Sequence, residues 1–296
     1  MTLQAIHKLI RTQLCIMATF AGLVGAFVAY RIEIRGNITE FFLYDPLIIL
    51  IGVFVPFLMV AGSNAINDYV DLEGDIANQR HDRPLVTGEL SKSTALVIAI
   101  IGLVIGPLIS IVFNKLEVLI AVVIISFLSL SYSLWFKKTG FIGNCVVALI
   151  LTSPFVLGAV VISVRKIETI ATIAAIMIIS FTGGLAREIA KGIMDVDGDR
   201  KEGVKTVAVV HGPRAAALLS VVLQLVTALL FPLPYLFGFS SNVWYLISII
   251  PPIGFILYLS WRLINDQSVE TGRMARKLAR YALYTGIMAF VVGAVL

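Results

Sequence analysis

Residues 94–112 read TALVIAIIGLVIGPLISIV, a run of 19 residues without one ionisable side chain. At a helical rise of about 1.5 Å per residue, such a run crosses the roughly 30 Å of hydrocarbon in a bilayer. Similar runs flank it on both sides, so the sequence predicts an all-α, polytopic membrane protein with nine transmembrane helices. The predicted spans are 14–30, 46–66, 94–112, 117–136, 141–163, 168–186, 214–236, 243–261 and 278–296.

The composition agrees with this fold class. Of the 296 residues, 59% are hydrophobic and 14% are charged, which excludes an ordinary soluble domain. The nine spans fill nearly the whole chain, so we expect residues 1–296 to form a single intramembrane domain. Both cysteines fall inside predicted spans, and the three histidines lack metal-ligand spacing. Neither residue type therefore predicts a disulfide or a metal site.

The distribution of positive charge predicts the orientation. With the N-terminus in the cytoplasm, 18 of the 23 lysines and arginines fall on the inner side, as the positive-inside rule requires. This orientation puts the C-terminus outside and the protein in the cell membrane. The net charge of +5 then reflects topology and phosphate binding, and we expect no nucleic-acid partner. The five outer cations are Arg31, Arg35, Lys115, Arg165 and Lys166.

Two nearly identical acidic pentads interrupt the apolar sequence: DLEGD at 71–75 and DVDGD at 195–199. They follow the second and sixth spans, so an even number of helices separates them and both emerge on the cytoplasmic side. The chain therefore divides into two parallel four-helix repeats, 14–136 and 141–261, followed by a ninth helix at 278–296. Repeats of this kind commonly place a binding site between the halves.

The first acidic segment gathers oxygen-bearing side chains on one helical face. This holds if the second span continues as a helix through Asp75, at about 100° per residue. The central acid of the pentad, Glu73, then points away from that face. The five side chains on the face are Asn64, Asn67, Asp68, Asp71 and Asp75.

The second acidic segment repeats the pattern. If the sixth span stays helical through Asp199, Asp195 and Asp199 share a face, and Asp197 points away. Glu188 and Lys191 lie on the same face. Carboxylates are costly near a bilayer, and convergent carboxylates are typical ligands of Mg²⁺, which in turn binds phosphate. The two faces therefore predict metal-dependent chemistry on a phosphorylated lipid at the membrane surface.

Several cations on the same side as the acids are candidates for binding phosphate. Arginine suits the paired oxygens of phosphate, whereas lysine acts as a point charge. Tyr132, at the end of the fourth span, is a further candidate contact. The basic candidates are Arg80, Arg83, Lys137, Arg187, Lys191 and Lys205. A second basic group is expected only to contact lipid headgroups: Lys138, Arg273, Arg276, Lys277 and Arg280.

With these motifs the chain resembles the UbiA-type intramembrane prenyltransferase superfamily. The resemblance covers almost the whole chain and rests on the nine spans together with four short motifs. These motifs are Asn67-Asp68-x₂-Asp71-x₃-Asp75, Arg83-Pro84-Leu85, Tyr132 with Lys137, and Asp195-x₃-Asp199. The resemblance implies a U-shaped helical barrel whose central cavity opens laterally to lipid.

The resemblance also implies the ligands of the site. Two Mg²⁺ ions would be held between the pentads, with a prenyl diphosphate bridged between the ions. Asp68 or Asp75 would orient the acceptor or accept its proton, and Tyr132 would complete the catalytic group. Asn64 and Glu188 would join the basic candidates in binding substrate. The implied metal ligands are Asn67, Asp71, Asp195 and Asp199.

The segment REIAKGIMDVDGD at 187–199 resembles the archaeal branch of the superfamily that makes digeranylgeranylglyceryl phosphate. By this resemblance the donor is geranylgeranyl diphosphate, and the acceptor is the hydroxyl of geranylgeranylglyceryl phosphate. The product would be an ether bond of archaeal phospholipid synthesis. Arg187 and Lys191 are placed to bind the phosphate of the acceptor. Besides these lipids, the sequence predicts contact with membrane lipids and no obligatory protein partner.

Two alternatives stay open. Within the same superfamily, the acceptor would be an aromatic ring such as a hydroxybenzoate, homogentisate or naphthoate, and the new bond would be C–C. In another class, the acids would serve a cation transporter. Transport sites generally lie near the middle of the bilayer, whereas both pentads here follow the ends of spans on one side. The positions of the pentads therefore argue against transport.

Overall fold

The computed structural model describes residues 2–77, 79–111, 116–239 and 243–296, apart from the side chains of 47–51 and 53. Within these residues the chain is helical, with no strand and with one 3₁₀-helix, Phe136–Thr139. The described α-helices are α1 Leu3–Ile10, α2 Thr12–Glu33, α3 Ile38–Tyr44, α4 Pro46–Ala77, α5 Lys92–Ile111, α6 Leu116–Leu134, α7 Phe141–Val161, α8 Ile167–Met194, α9 Val196–Lys201, α10 Val207–His211, α11 Pro213–Leu230, α12 Leu233–Leu236, α13 Val243–Ser248, α14 Ile250–Asn265 and α15 Val269–Val295.

The long helices coincide with the predicted spans. Within the described residues, 8 helical segments are long and apolar enough to cross a membrane, with α11–α12 and α13–α14 each counted as one. They match every predicted span except the second, which corresponds to α4. The chain is therefore an all-α, multi-pass membrane protein, and the count of nine spans stays a prediction. Residue 112, at the end of the third predicted span, and Lys115 lie outside the described residues.

Neighbouring helices pack in the way that two consecutive four-helix units would. In the first half α2 packs on α4 and α4 on α5, and in the second half α7 packs on α8 and α8 on α11. The leading helices α2 and α7 also pack on each other. The last helix, α15, packs on α8, α14 and α2. The division into two repeats stays a prediction that these contacts support.

Glycines bring two of these helix pairs into backbone contact. A β-carbon added to Gly158 in α7 would overlap the carbonyl oxygen of Gly22 in α2. A β-carbon on Gly102 in α5 would overlap the carbonyl oxygen of Leu58 in α4. Such close approach favours helix association in lipid, where burial of apolar surface contributes little. Glycine at these positions therefore determines how closely the two helix pairs can pack.

The two acidic pentads lie on different local structures. As predicted, α4 continues through Asp75 and ends at Ala77. In contrast, α8 ends at Met194, Asp195 adopts φ −100° and ψ 3°, and α9 begins at Val196. The prediction of one continuous helix through Asp199 is wrong, because the break falls at Asp195 and aspartate is a weak helix former. The backbone N–H of Asp199 still donates to the carbonyl oxygen of Asp195 at 2.8 Å, which keeps these acids one turn apart.

Candidate active site

One cavity of about 1760 Å³ is lined by residues of both pentads. Its walls come from α1, α2, α4, α6, α7, α8, α9, α11, α14 and α15 and from the segments that follow α4, α6 and α9. The polar lining residues include Asn67, Asp71, Asp75, Asp195 and Asp199. The apolar lining residues include Phe155, Ile179, Phe231, Ile287 and Phe290. The cavity thus joins a charged region at the helix ends to an apolar interior, as a lipid with an anionic head requires.

The first pentad brings three predicted residues into contact. The side-chain amide of Asn67 donates to Asp71 Oδ2 at 2.5 Å. The ammonium group of Lys137, from the 3₁₀-helix after α6, forms an ion pair with the same oxygen. The Asp71 side chain is 15% exposed, so it remains accessible from the cavity. Asn67, Asp71 and Lys137 therefore form one polar group with oxygen ligands and a cation.

Asp68 lies behind the wall of the cavity. Its side chain is 1% exposed, and it does not line the cavity with Asp71 and Asp75. Asp68 Oδ1 accepts hydrogen bonds from Arg11 Nη2 at 2.7 Å and from Arg83 Nη1. The expectation that Asp68 shares the cavity-lining face of Asp71 and Asp75 is therefore wrong, because its carboxylate is buried against the two arginines instead.

Arg11 is a site residue that no sequence motif marks, and in the sequence it is one of the 18 inner cations. It joins α1 to α2 with a left-handed backbone, φ 52° and ψ 61°, an uncommon conformation for a residue other than glycine. Its guanidinium donates to Asn64 Oδ1 and Asp68 Oδ1, both at 2.7 Å, and lines the cavity. The amide of Asn64 donates to the carbonyl oxygen of Ile10 at 2.9 Å. Both polar groups of Asn64 therefore hold the α1–α2 junction, although the residue borders the cavity.

The segment after α4 contributes two arginines to the cavity wall. Arg83 Nε lies 3.8 Å from Asp75 Oδ2, and Asp75 lines the cavity. Arg80 donates to both carboxylate oxygens of Asp82, at 2.9 and 3.0 Å. These hydrogen bonds lower the pKa of the Asp82 carboxyl to about 2. Glu73 is exposed and borders the same cavity, so the prediction that it points away is wrong. The cavity is wide enough near the end of α4 to reach more than one face of the helix.

The second pentad also combines acids with cations. Lys191 Nζ lies 3.9 Å from Asp195 Oδ2 and 4.0 Å from Glu188 Oε2. Glu188 also forms an ion pair with Arg187. Burial and the neighbouring charge of Asp195 raise the pKa of the Asp199 carboxyl to about 6. Five predicted residues are therefore brought together here, all of them lining the cavity.

Two polar residues of the second half lie apart from this group. The Asp197 side chain is 83% exposed, 3.6 Å from Arg200, and outside the cavity lining, as the helical periodicity predicted. Lys205 is exposed and does not line the cavity. Tyr132, in contrast, lines both the main cavity and a smaller pocket next to it, together with Lys137, Asp195 and Asp199. The structure thus groups Tyr132 with the second pentad and leaves Lys205 outside.

The acids suit magnesium in a specific way. Within the described residues, no three Asp, Glu, His or Cys side chains converge closely enough to hold one ion by themselves. Each acidic segment instead offers a pair of oxygen donors, Asn67 with Asp71 in the first and Asp195 with Asp199 in the second. Magnesium is usually bound by one or two carboxylates together with substrate phosphates and waters. The donor pairs therefore fit Mg²⁺ that is shared with a phosphorylated ligand.

Comparisons with known proteins agree with this site. The profile of the UbiA prenyltransferase family matches residues 18–283. A digeranylgeranylglyceryl phosphate synthase from Archaeoglobus fulgidus is 31% identical over 298 residues, which covers 99% of this chain and 96% of the relative. A solved structure described as a digeranylgeranylglyceryl phosphate synthase in membranes has a TM-score of 0.77 at 29% identity, and covers 99% of this chain and 98% of that one. A UbiA homolog from A. fulgidus, bound to GPP and Mg²⁺, has the same fold with a TM-score of 0.65 at 20% identity, over 97% of this chain and 100% of that one.

Proposed function

Because this chain belongs to the UbiA prenyltransferase family, we propose that it transfers a geranylgeranyl group from geranylgeranyl diphosphate to the hydroxyl of geranylgeranylglyceryl phosphate. The protein is an intramembrane prenyltransferase. The choice of donor and acceptor is supported by the full-length relative named digeranylgeranylglyceryl phosphate synthase. The observation that carries the proposal is the single cavity that joins both acidic pentads to an apolar interior.

The proposal includes two Mg²⁺ ions. Asn67 and Asp71 would hold one ion, and Asp195 and Asp199 the other. Bound Mg²⁺ neutralises diphosphate and stabilises it as a leaving group. Two observations support this assignment: the paired oxygen donors of each pentad, and the UbiA homolog that binds GPP with Mg²⁺.

The cations of the cavity would hold the donor diphosphate. Lys137 and Arg83 line the cavity beside Asp71 and Asp75, so their N–H groups can donate to phosphate oxygens. Charge-assisted hydrogen bonds of this kind strengthen as negative charge builds up on the leaving group. Tyr132 lines the same region, and its hydroxyl would donate as well. We place this site near the cytoplasmic face, with the N-terminus inside and the C-terminus outside.

The reaction breaks the bond between C1 of the geranylgeranyl chain and the diphosphate oxygen, and the electron pair leaves with diphosphate. The oxygen of the acceptor hydroxyl bonds to that carbon and loses its proton. Asp75 is our candidate for accepting the proton, because its side chain lines the cavity and is 12% exposed. Asp68, at 1% exposed and bound by two guanidinium groups, would instead position Arg11 and Arg83.

The apolar walls of the cavity would protect the allylic cation that forms when diphosphate leaves. Phe155, Phe231 and Phe290 line the cavity. Apolar side chains exclude the water that would capture an allylic cation, and aromatic faces attract positive charge. These rings would therefore protect the cation while the acceptor oxygen approaches.

The identity of the product tests the proposal. The purified protein would be incubated with labelled geranylgeranyl diphosphate, Mg²⁺ and one acceptor at a time, and the products analysed by mass spectrometry. An ether formed only with geranylgeranylglyceryl phosphate supports the proposal. A prenylated hydroxybenzoate, homogentisate or naphthoate would assign the aromatic alternative instead. The transporter alternative has no support, because the chain belongs to an enzyme family and its two acidic pentads line one cavity.

A further inference from the structure

We propose that Arg276 and Arg280, one turn apart on α15, form the subsite for the phosphate monoester of the lipid acceptor. This inference rests on the proposed function and names the group that selects its acceptor. Both arginines line the cavity, and Arg276 is exposed while Arg280 is half-buried. Two guanidinium groups at this spacing can each donate two hydrogen bonds to the oxygens of one phosphate.

Charge balance sets these arginines apart from most cations of the cavity. Neither Arg276 nor Arg280 has a hydrogen-bond or ion-pair partner within the described residues, and among the lysines and arginines of the lining only Lys138 shares this property. Lys138 is a single charge, whereas the arginines are a pair. The lining cations that form ion pairs with carboxylates are Lys8, Arg11, Arg80, Arg83, Lys137, Arg187 and Lys191.

The register of α15 places the arginines beside the last turns of α8, which precede the second pentad. A β-carbon on Gly272 would lie 2.8 Å from the Cβ of Met194, the last residue of α8. The start of α15 therefore meets the end of α8. The later turns of α15 share a core with the earlier turns of α8, so the two helices run in opposite directions. Arg276 and Arg280 follow Gly272 by one and two turns. They consequently lie alongside the last turns of α8, which lead into Asp195.

The last turns of α8 carry cations of their own, but acids already balance them. Arg187 pairs with Glu188, and Lys191 lies within 4.0 Å of both Glu188 and Asp195. From the sequence alone, Arg187 and Lys191 were the candidates for the acceptor phosphate. The structure leaves uncompensated positive charge on the facing helix instead. An incoming phosphate therefore gains more from α15, where it displaces no internal ion pair.

The same face of α15 continues into the apolar part of the cavity. Leu283, Ile287 and Phe290 follow the arginines at helical spacing and line the cavity with them. Arg280 and Phe290 are about 15 Å apart along the helix axis. One helix thus presents a charged end and then an apolar stripe, which matches a lipid that carries phosphate at one end and a hydrocarbon chain behind it.

The test compares two double variants of the full-length protein. R276Q/R280Q removes the proposed subsite, and R273Q/K277Q removes two charges from the same helix at positions that are exposed and outside the cavity lining. We expect R276Q/R280Q to raise the apparent KM for geranylgeranylglyceryl phosphate by about tenfold or more, as the loss of charge-assisted hydrogen bonds predicts. The KM for geranylgeranyl diphosphate should stay near its original value, and R273Q/K277Q should change neither constant.

The lipid composition separates the two possible sources of phosphate. The same titrations would be run in nanodiscs of zwitterionic lipid and of anionic lipid. A higher acceptor KM in both supports the acceptor subsite. A change confined to anionic nanodiscs would assign the arginines to bulk headgroups and overturn the proposal, as would a higher KM for the donor alone.

A wrong proposed function would give a result distinct from a wrong subsite. In that case the original protein forms no ether product with geranylgeranylglyceryl phosphate. Binding of a non-reactive alkylglyceryl phosphate, followed by thermal shift, then decides the subsite on its own. Stabilisation of the original protein and of R273Q/K277Q, but not of R276Q/R280Q, supports the subsite, and equal stabilisation of all three rejects it.

Discussion

Arg11 Nη2 lies 2.7 Å from Asp68 Oδ1, although 57 residues separate the two in the chain. The Asp68 side chain is 1% exposed and also accepts a hydrogen bond from Arg83. One buried carboxylate therefore orients two guanidinium groups that both line the cavity. The left-handed backbone of Arg11 makes this possible, because it turns α2 away from α1 at the residue whose side chain enters the site.

Replacement of Arg11 by Gln should destabilise the protein. The change leaves Asp68 with Arg83 alone and removes the hydrogen bond to Asn64, so we expect a loss of about 1–3 kcal/mol in apparent unfolding free energy. Thermal unfolding in detergent measures this loss. Lys8→Gln is the matched control, because its ion pair with Glu89 is exposed and contributes less than about 1 kcal/mol. Equal losses in both variants would show that Asp68 does not depend on Arg11.

Loss of one proposed metal ligand should abolish most activity while leaving the fold intact. For Asp71→Asn and Asp195→Asn we expect prenyl transfer to fall by about two to three orders of magnitude, since the metal contributes several kcal/mol to the transition state. Higher Mg²⁺ should recover part of the rate. Asp197→Asn, at an exposed acid outside the cavity lining, should keep its activity. A comparable loss in Asp197→Asn would refute the assignment of ligands.

Affinity for Mg²⁺ should decline in mild acid. The pKa of the Asp199 carboxyl is raised to about 6 by burial and by the charge of Asp195. A metal needs the ionised carboxylate, so the apparent Kd for Mg²⁺ should rise about tenfold between about pH 7 and about pH 5. The stability of the metal-free protein depends on pH in the opposite direction, because a raised pKa favours the protonated carboxyl in the folded state. The contribution of Asp199 to stability is complete below about pH 4 and is lost as pH rises through about 6.

Calorimetric titration of Mg²⁺ at several pH values measures this dependence. Asp199→Asn has no proton to lose in that range, so its weaker binding should vary little with pH. A pH dependence that survives in the variant would assign the titration to another group.

The packing of α5 on α4 should be sensitive to a single methyl group added at a glycine. A β-carbon on Gly102 would overlap the carbonyl oxygen of Leu58, so Gly102→Ala should cost about 1–3 kcal/mol. Gly106 is one turn further along α5, where an added β-carbon would lie 3.5 Å from the Met59 side chain. Gly106→Ala should therefore be neutral or slightly stabilising, because alanine favours helix. Similar midpoints of thermal unfolding for both variants would contradict the close crossing.

The structural features that the sequence predicted correctly are those encoded by a local pattern of residues. Apolar run length located the helices, and the period of 3.6 residues placed Asn67, Asp71 and Asp75 on one face of α4. The prediction of a continuous helix failed at Asp195, because neither proline nor an obvious cap marks the break between α8 and α9. A single weak helix former such as Asp195 is only a faint signal of a helix end.

The roles of Arg11, Arg276 and Arg280 depend on tertiary contacts, so a local sequence pattern does not predict them. Arg11 meets partners 53 and 57 residues away, and in the sequence it is one of many inner cations. Arg276 and Arg280 differ from Arg273 and Lys277 only in the face of α15 that they occupy. Which face borders the cavity is decided by the packing of Gly272 on Met194. No local pattern of charge carries that information.

The contact between Gly22 and Gly158 limits how the enzyme can move. With backbone against backbone at this crossing, α2 and α7 have no side chains between them that could slide or change rotamer. We therefore expect the contact between α2 and α7 to be rigid, because rocking of one helix against the other would lose packing where the two backbones approach most closely. If the proposed function holds, we expect both long-chain substrates to reach the cavity through movement of helices other than α2 and α7.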